Sequence, residues 1–232
     1  MTGRLYLIPV TLGDEDFMNV IPEKVIRRTC LLRYFIVENI RSARRFLRLV
    51  DKEFPINDSF FFELNEHTVD DEISQFLEPA MKGFDMGVMS EAGLPCIADP
   101  GAKIVSLAHK KRIKVIPLSG PSSIILALIS SGMNGQNFSF NGYLPVKPVE
   151  KAAKIRELQK KAHEGITQIF METPYRNQKM LESLLSICDN ESELCIAADI
   201  TLSSESITTM KIAEWKKNIP ALNDRLVIFV LQ

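Results

Sequence analysis

Apolar positions along the chain follow two alternating patterns. Short continuous runs bounded by turn formers read as buried strands, and stretches with an apolar residue every three or four positions read as amphipathic helices. Strands are predicted at 5–10, 33–37, 59–64, 85–89 and 113–116. Between them lie helix-patterned segments: 40–54, with Ala43, Phe46, Leu47 and Val50 in a stripe; 70–81, with Ile73, Phe76, Leu77 and Ala80; and 102–111. Alternating strands and helices predict an α/β domain with a largely parallel sheet. The run 117–121, Pro-Leu-Ser-Gly-Pro, then interrupts the pattern. Beyond it come an apolar helix at 122–131, a charged one at 151–162 and another at 177–188, with strands at 138–143, 167–172, 194–198, 206–211 and 226–231. Strand following strand near the end predicts a mixed sheet. The expected organisation is therefore two α/β domains, 1–118 and 119–232, without internal repeats.

Composition narrows the class. The 232 residues are 46% hydrophobic and 25% charged, with a formal net charge of −1. These are the values of an ordinary globular protein, and they argue against a chain that binds polyanions over its whole surface. No apolar run approaches the ~18 residues of a membrane span. The apolar run near the N-terminus is too short for a signal sequence, so a cytoplasmic location without membrane partners is expected. The four Cys, at 30, 96, 188 and 195, contain no Cys-x-x-Cys pair, and the three His, at 67, 109 and 163, are widely separated. No zinc spacing is present, and no metal is expected. No Gly-x-Gly-x-x-Gly or Walker A string occurs either.

Candidate chemistry concentrates in the loop 90–101, Ser-Glu-Ala-Gly-Leu-Pro-Cys-Ile-Ala-Asp-Pro-Gly. It follows a strand and precedes a helix. Two Gly and two Pro among twelve residues make a rigid loop that lets backbone approach a ligand, at the strand end where open α/β sheets bind ligands. Asp99 stands at the N-cap position of the next helix. Further strand-end strings carry polar groups. Glu38 and Arg41 could hold a polar ligand or pair with each other. Glu66 and His67 follow the third strand, where a loop histidine is either a titrating group or a cap. Ser119-Gly120-Pro121-Ser122-Ser123 offers hydroxyls and free amides at a helix start, suited to an anionic ligand tail or to capping. Glu172 and Arg176, four apart across a turn, form either an ion pair or, with Lys147, a phosphate-contacting set.

Taken in order, these strings resemble one family. Ser-Glu-Ala-Gly-Leu-Pro-x-Ile-x-Asp-Pro-Gly at 90–101 is similar to the Ser-Asp-Ala-Gly-Thr-Pro-x-Ile-x-Asp-Pro-Gly loop of the tetrapyrrole methylase superfamily. The segment 9–14 resembles its Pro-Thr-Pro-Ile-Gly-Asn, keeping Pro9 and Gly13. The segment 37–41 resembles Ala-Glu-Asp-Thr-Arg, keeping Glu38 and Arg41. Glu66 and His67 resemble a His-Glu-His-Asn string, and 119–123 resembles Pro-Gly-Pro-Ser-Ala. The strings Phe140-Asn141-Gly142-Tyr143-Leu144-Pro145-Val146-Lys147 and Met171-Glu172-Thr173-Pro174-Tyr175-Arg176 resemble the branch that methylates a ribose 2′-hydroxyl of small-subunit ribosomal RNA. The likeness departs at 198–205, where Ala198 and Leu202 replace an Arg and a Lys while Thr201 and Glu205 are kept.

The resemblance implies a methyltransferase that uses S-adenosylmethionine, bound in a cleft between the two domains of a homodimer. It implies cofactor contacts at Pro9, Ser90, Ala92, Gly93, Pro95, Ile97, Asp99, Gly120, Ser122, Ser123 and Met171. Arg41, Lys147 and Arg176 become the candidate substrate contacts. The acceptor is expected to be ribosomal RNA or the small ribosomal subunit. Alternatives are a small molecule such as a tetrapyrrole, or a non-catalytic protein that keeps the cofactor site. A general base assisting a hydroxyl acceptor would be Glu38, Glu172 or Glu205, all strand-end acids.

Overall fold

The computed structural model describes residues 2–13, 16–65, 68 and 70–232, with the backbone alone at 70 and 71. Two compact units divide the chain, Met1–Ser122 and Ser123–Gln232. The first contains β1 (Arg4–Leu7), α1 (Glu23–Cys30), β2 (Tyr34–Val37), α2 (Ile40–Val50), β3 (Phe60–Glu63), α3 (Asp70–Phe76), α4 (Glu78–Met81), β4 (Met86–Met89), α5 (Gly101–Lys110) and β5 (Lys114–Pro117). Its five strands lie in the order β3-β2-β4-β1-β5, every neighbouring pair parallel. Such a sheet is covered on both faces, which is why β4 is buried along its whole length and reads as a continuous apolar run. One core, including Phe35, Phe46, Leu47 and Phe54, gathers under α1 and α2. A second, including Ile36, Leu77, Met86 and Ile104, gathers under α3, α4 and α5.

The second unit contains α6 (Ser123–Ser131), β6 (Phe138–Tyr143), α7 (Pro148–His163), β7 (Thr167–Met171), α8 (Asn177–Ile187), β8 (Glu193–Ala198), β9 (Ser206–Lys211), α9 (Ile212–Trp215) and β10 (Val227–Leu231). Its sheet runs β6-β7-β10-β8-β9, with β6 and β7 parallel and the other neighbours antiparallel. This is the mixed sheet that the strand-after-strand pattern predicts. Phe170 and Phe229, stacked at 5.6 Å across neighbouring strands, anchor a core shared with α7 and α8.

Three differences from the sequence pattern have a local reason. The helix expected over 70–81 is two helices, because Pro79 lacks the N–H that would continue the first and instead sits in the opening turn of α4. The helix expected over 40–54 stops at Val50, where Asp51 turns extended and its carboxylate accepts the Glu53 N–H at 3.0 Å. Helix α1 has no counterpart in the pattern. Its buried face is only Val25, Ile26 and Thr29, whose hydroxyl returns to the Val25 carbonyl at 3.0 Å.

Candidate functional site

Strands β2, β4, β1 and β5 are adjacent and parallel, so their carboxyl ends share one edge of the sheet. The segments that leave them are Glu38 onward, 90–100, 9–13 and 118–122. These are four of the strings the sequence singles out, and strand carboxyl ends are where open α/β sheets bind ligands.

The segments are locked together by backbone. The Val10 N–H donates to the Gly93 carbonyl at 2.9 Å, and the Gly93 N–H donates to the Thr11 carbonyl at 3.3 Å. Gly93 has a φ of +68°, and a Cβ there would lie 3.0 Å from Leu12 and 3.2 Å from the Pro121 carbonyl oxygen. Its need for glycine thus arises already from the protein's own loops. Gly120 is tighter: a Cβ would fall 2.2 Å from the Cβ of Pro9. Pro9 is buried and Ser122 is 8% exposed.

Asp99 pins the loop 90–101 from inside. Its Oδ2 accepts the Cys96 N–H at 2.7 Å, its Oδ1 accepts the Gly101 N–H at 2.7 Å, and the Ile97 N–H also bonds to it. Gly101 opens α5, so Asp99 does serve the helix start, from one position before Pro100. Holding the three amides curls the chain until Cys96 and Ala98 take φ values of +73° and +61°. Non-glycine residues in that region are uncommon and cluster at ligand clamps. The Cys96 thiol is pushed up to about 12 by burial and by Asp99, so it is no nucleophile.

Glu38 and Asp99 line a recess of about 190 Å³, counting the part open to solvent, with Val37, Leu64, Met89, Pro100 and Gly101 among its walls. Glu38 Oε2 accepts the Glu91 N–H at 3.1 Å, and Glu91 Oε1 accepts the Ser42 hydroxyl at 2.9 Å. Burial raises the Glu38 carboxyl above its ordinary value, with further contributions from Asp99 and Glu91. Burial raises Asp99 as well, against the three amides that favour its charge. Glu38 and Asp99 are the ionisable groups that line the recess, and among the described residues no cation lines it. Ser42 was not singled out by sequence reasoning, although a hydroxyl one turn after Glu38 was the available signal.

The other candidates are not among the residues that line this recess. Glu172 ends β7 with a fully buried side chain; its Oε1 accepts from Arg176 Nη2 at 2.7 Å and from the Thr173 N–H at 2.8 Å. The guanidinium of Arg176 also lies 5.3 Å from the ring centre of Tyr175. Of the two readings, the structure takes the ion pair. Glu205 Oε2 accepts the Thr201 N–H at 2.7 Å and closes the turn after β8. Lys147 is exposed and lies 3.2 Å from Glu150. Ser90 and Pro95 shape the 90–101 loop, the former by donating to the Ala92 carbonyl at 3.2 Å, while Ala92 and Ile97 are exposed on it. Ser123 opens α6 and Met171 ends β7 in the second unit. Ala198 is fully buried at the end of β8. Glu66 and His67 lie outside the described residues.

The family model for Tetrapyrrole (Corrin/Porphyrin) Methylases matches residues 4–216. The chain belongs to the tetrapyrrole methylase family. It is a methyltransferase. Among its relatives is the Ribosomal RNA small subunit methyltransferase I of Vibrio cholerae, 30% identical over 210 residues, which are 90% of this chain and 69% of the relative. The protein of the same name from Streptococcus pyogenes serotype M3 is 30% identical over 216 residues, 92% of this chain and 70% of the relative. The fold is similar to the crystal structure of the methyltransferase CobJ, with a TM-score of 0.64 at 16% identity, covering 99% of this chain and 94% of that one. In this family member no helix among the described residues is long and apolar enough to cross a membrane, and no group of three metal-ligating side chains is found among them.

Two substitutions probe the site's construction. Gly120→Ala forces a methyl into the rigid ring of Pro9 and should cost about 1–3 kcal/mol in denaturant unfolding. Gly135→Ala, with nothing within 4 Å, should stay within about 0.5 kcal/mol of wild type. Glu38→Gln keeps the acceptor for the Glu91 N–H but removes the charge. A carboxyl whose folded pKa is raised binds its proton more tightly when folded, so its contribution is favourable below the unfolded pKa and is lost as pH rises through the folded one. Glu38→Gln should therefore melt above wild type at pH 7, and the difference should close on acidification through the ordinary glutamate range. A variant that melts below wild type at pH 7 contradicts the assignment.

Proposed function

We propose that the protein binds S-adenosylmethionine at the carboxyl edge of the parallel sheet and transfers its methyl group to a ribose 2′-hydroxyl of small-subunit ribosomal RNA. The observation that carries the cofactor reading is the acid-lined recess beside the Asp99-pinned loop. Bound S-adenosylmethionine supplies an electrophilic methyl on a sulfonium, and the molecule also carries an ammonium group. The donor set fits such a ligand: among the described residues Glu38 and Asp99 face the recess without a cation, and the amides of Cys96, Ile97 and Gly101 are already taken by Asp99. The recess is small and partly open, so in this reading it receives one part of the cofactor rather than enclosing the whole molecule.

The work of these residues is positioning. Because the loop is held by the protein's own hydrogen bonds before a ligand arrives, little ordering remains for binding, and fixed geometry of this kind supplies up to ~7–11 kcal/mol of a displacement barrier. Glu38 is the general base we favour for the hydroxyl proton. It is the one of the three candidates that lines the recess, and its raised pKa brings it closer to neutral pH, where a base is most effective. Glu172 and Glu205 have structural partners instead.

The RNA acceptor rests on the relatives' names and on the strings at 140–147 and 171–176. A homodimer is part of the proposal, and a monomer in sedimentation velocity contradicts that part. The activity is tested by incubating the protein with methyl-labelled S-adenosylmethionine and small ribosomal subunits, then digesting the RNA in alkali. A ribose 2′-O-methyl blocks cleavage at its own linkage, so label should appear in an alkali-stable dinucleotide. Label in alkali-labile mononucleotides contradicts the ribose assignment. Label in a small molecule of a cell extract but not in RNA supports the tetrapyrrole-like alternative, and cofactor binding without any transfer supports a non-catalytic protein.

A further inference from the structure

Helix α2, Ile-Arg-Ser-Ala-Arg-Arg-Phe-Leu-Arg-Leu-Val, contains four arginines and no acid in 11 residues. Arg41, Arg44, Arg45 and Arg48 stand at i, i+3, i+4 and i+7, which places all four on one helix face. All four are exposed, while Ala43, Phe46 and Leu47 on the opposite face are buried in the first unit's core. Among the described residues none of the four pairs with a carboxylate. Arg44 lies 5.1 Å from the ring centre of Phe61, and Arg48 donates to the Lys52 carbonyl.

This arrangement works against the helix. Each like-charged pair three or four apart is destabilising by about 0.2–0.5 kcal/mol, and the stripe contains four such pairs. Arg41 adds a cation in the first turn, where the helix dipole favours an anion. A chain with a net charge of −1 has acids enough to compensate such a face, yet among the described residues none is paired with it. An external polyanion would relieve this repulsion.

We infer that the arginine stripe of α2 is a docking track for the phosphate backbone of the RNA substrate. The inference rests on the RNA reading of the acceptor and says where that RNA lies. Asn39 caps α2 by accepting the Arg41 and Ser42 N–H groups at 2.9 and 3.2 Å, directly after Glu38 of the recess. The stripe therefore begins beside the candidate reacting site and leads about 10 Å along the helix. Four cations at that spacing contact a strand of phosphates without reading its bases. A membrane surface fits less well, because an interfacial helix needs an apolar face to insert and that of α2 is already buried.

The test is binding of small-subunit ribosomal RNA across a salt series, with the full chain as wild type, Arg45→Gln/Arg48→Gln, Arg45→Lys/Arg48→Lys, and Lys160→Gln/Lys179→Gln as a charge-matched control from the second unit. Each lost phosphate contact lowers the slope of log K against log salt by about 0.7–0.9. The Gln pair should therefore flatten the slope by about 1.4–1.8 and weaken binding at 0.1 M salt by about 25–60-fold. The Lys pair should keep the wild-type slope, and so should the control. Since the Gln pair removes repulsion, its melting temperature should not fall by more than about 2 °C, which separates lost docking from lost fold. Should it fall further, single Arg45→Gln carries the test, with a slope change of about 0.7–0.9. An unchanged slope overturns the docking track while leaving RNA methylation intact if wild type still labels RNA. No RNA binding by wild type at low salt overturns both, and equal binding to phosphatidylserine vesicles overturns the track in favour of a membrane surface.

Discussion

The carboxylate of Asp99 is the point on which the candidate site depends. One side chain holds the amides of Cys96, Ile97 and Gly101, and in doing so sets the curl of a loop that no regular element supports. Hydrogen bonds to an ionised acceptor are stronger than neutral ones, and three of them converge on one group. They offset the cost of two non-glycine residues at positive φ and of a half-buried carboxylate whose charge burial disfavours. With that loop fixed, Gly93 can bond to the segment after β1, and Gly120 can rest on Pro9. Three loops from three strands then form one rigid edge.

The charges of the first unit are arranged around this edge in an unusual order. Two acids, Glu38 and Asp99, face the recess, and burial, Asp99 and the neighbouring Glu91 all raise the proton affinity of Glu38. Arginines begin three residues after Glu38 and continue along α2. The net charge of the whole chain hides this separation. It fits the proposed pair of substrates, a small cationic donor and a large anionic acceptor, each drawn to its own part of one sheet edge.

Much of this was legible in the sequence, for identifiable reasons. Both sheets could be read because a strand buried on two faces leaves an apolar run and its flanking turns leave Gly and Pro. The loop 90–101 stood out because its Gly and Pro content excludes helix and strand alike. Asp99 was expected as a cap, and it serves the start of α5 while also holding two further amides. What escaped depends on distant partners. The order β3-β2-β4-β1-β5 has no local signature, and neither do the recess that Glu38 lines and the partners that occupy Glu172 and Glu205. The four arginines were visible as letters. Their meaning required knowing which face of α2 is buried and that, among the described residues, no carboxylate from another segment answers them.

Hydrogen exchange with and without S-adenosylmethionine tests the central claim most directly. The account predicts that in the free protein the amides of Cys96, Ile97 and Gly101 exchange slowly despite lying in a loop, because Asp99 holds them. Addition of cofactor should then raise protection at 9–13, 90–101 and 118–122 while leaving the edge strand β3 unchanged. Rapid exchange of those three amides in the free protein, or protection by cofactor that bypasses these loops, would contradict it.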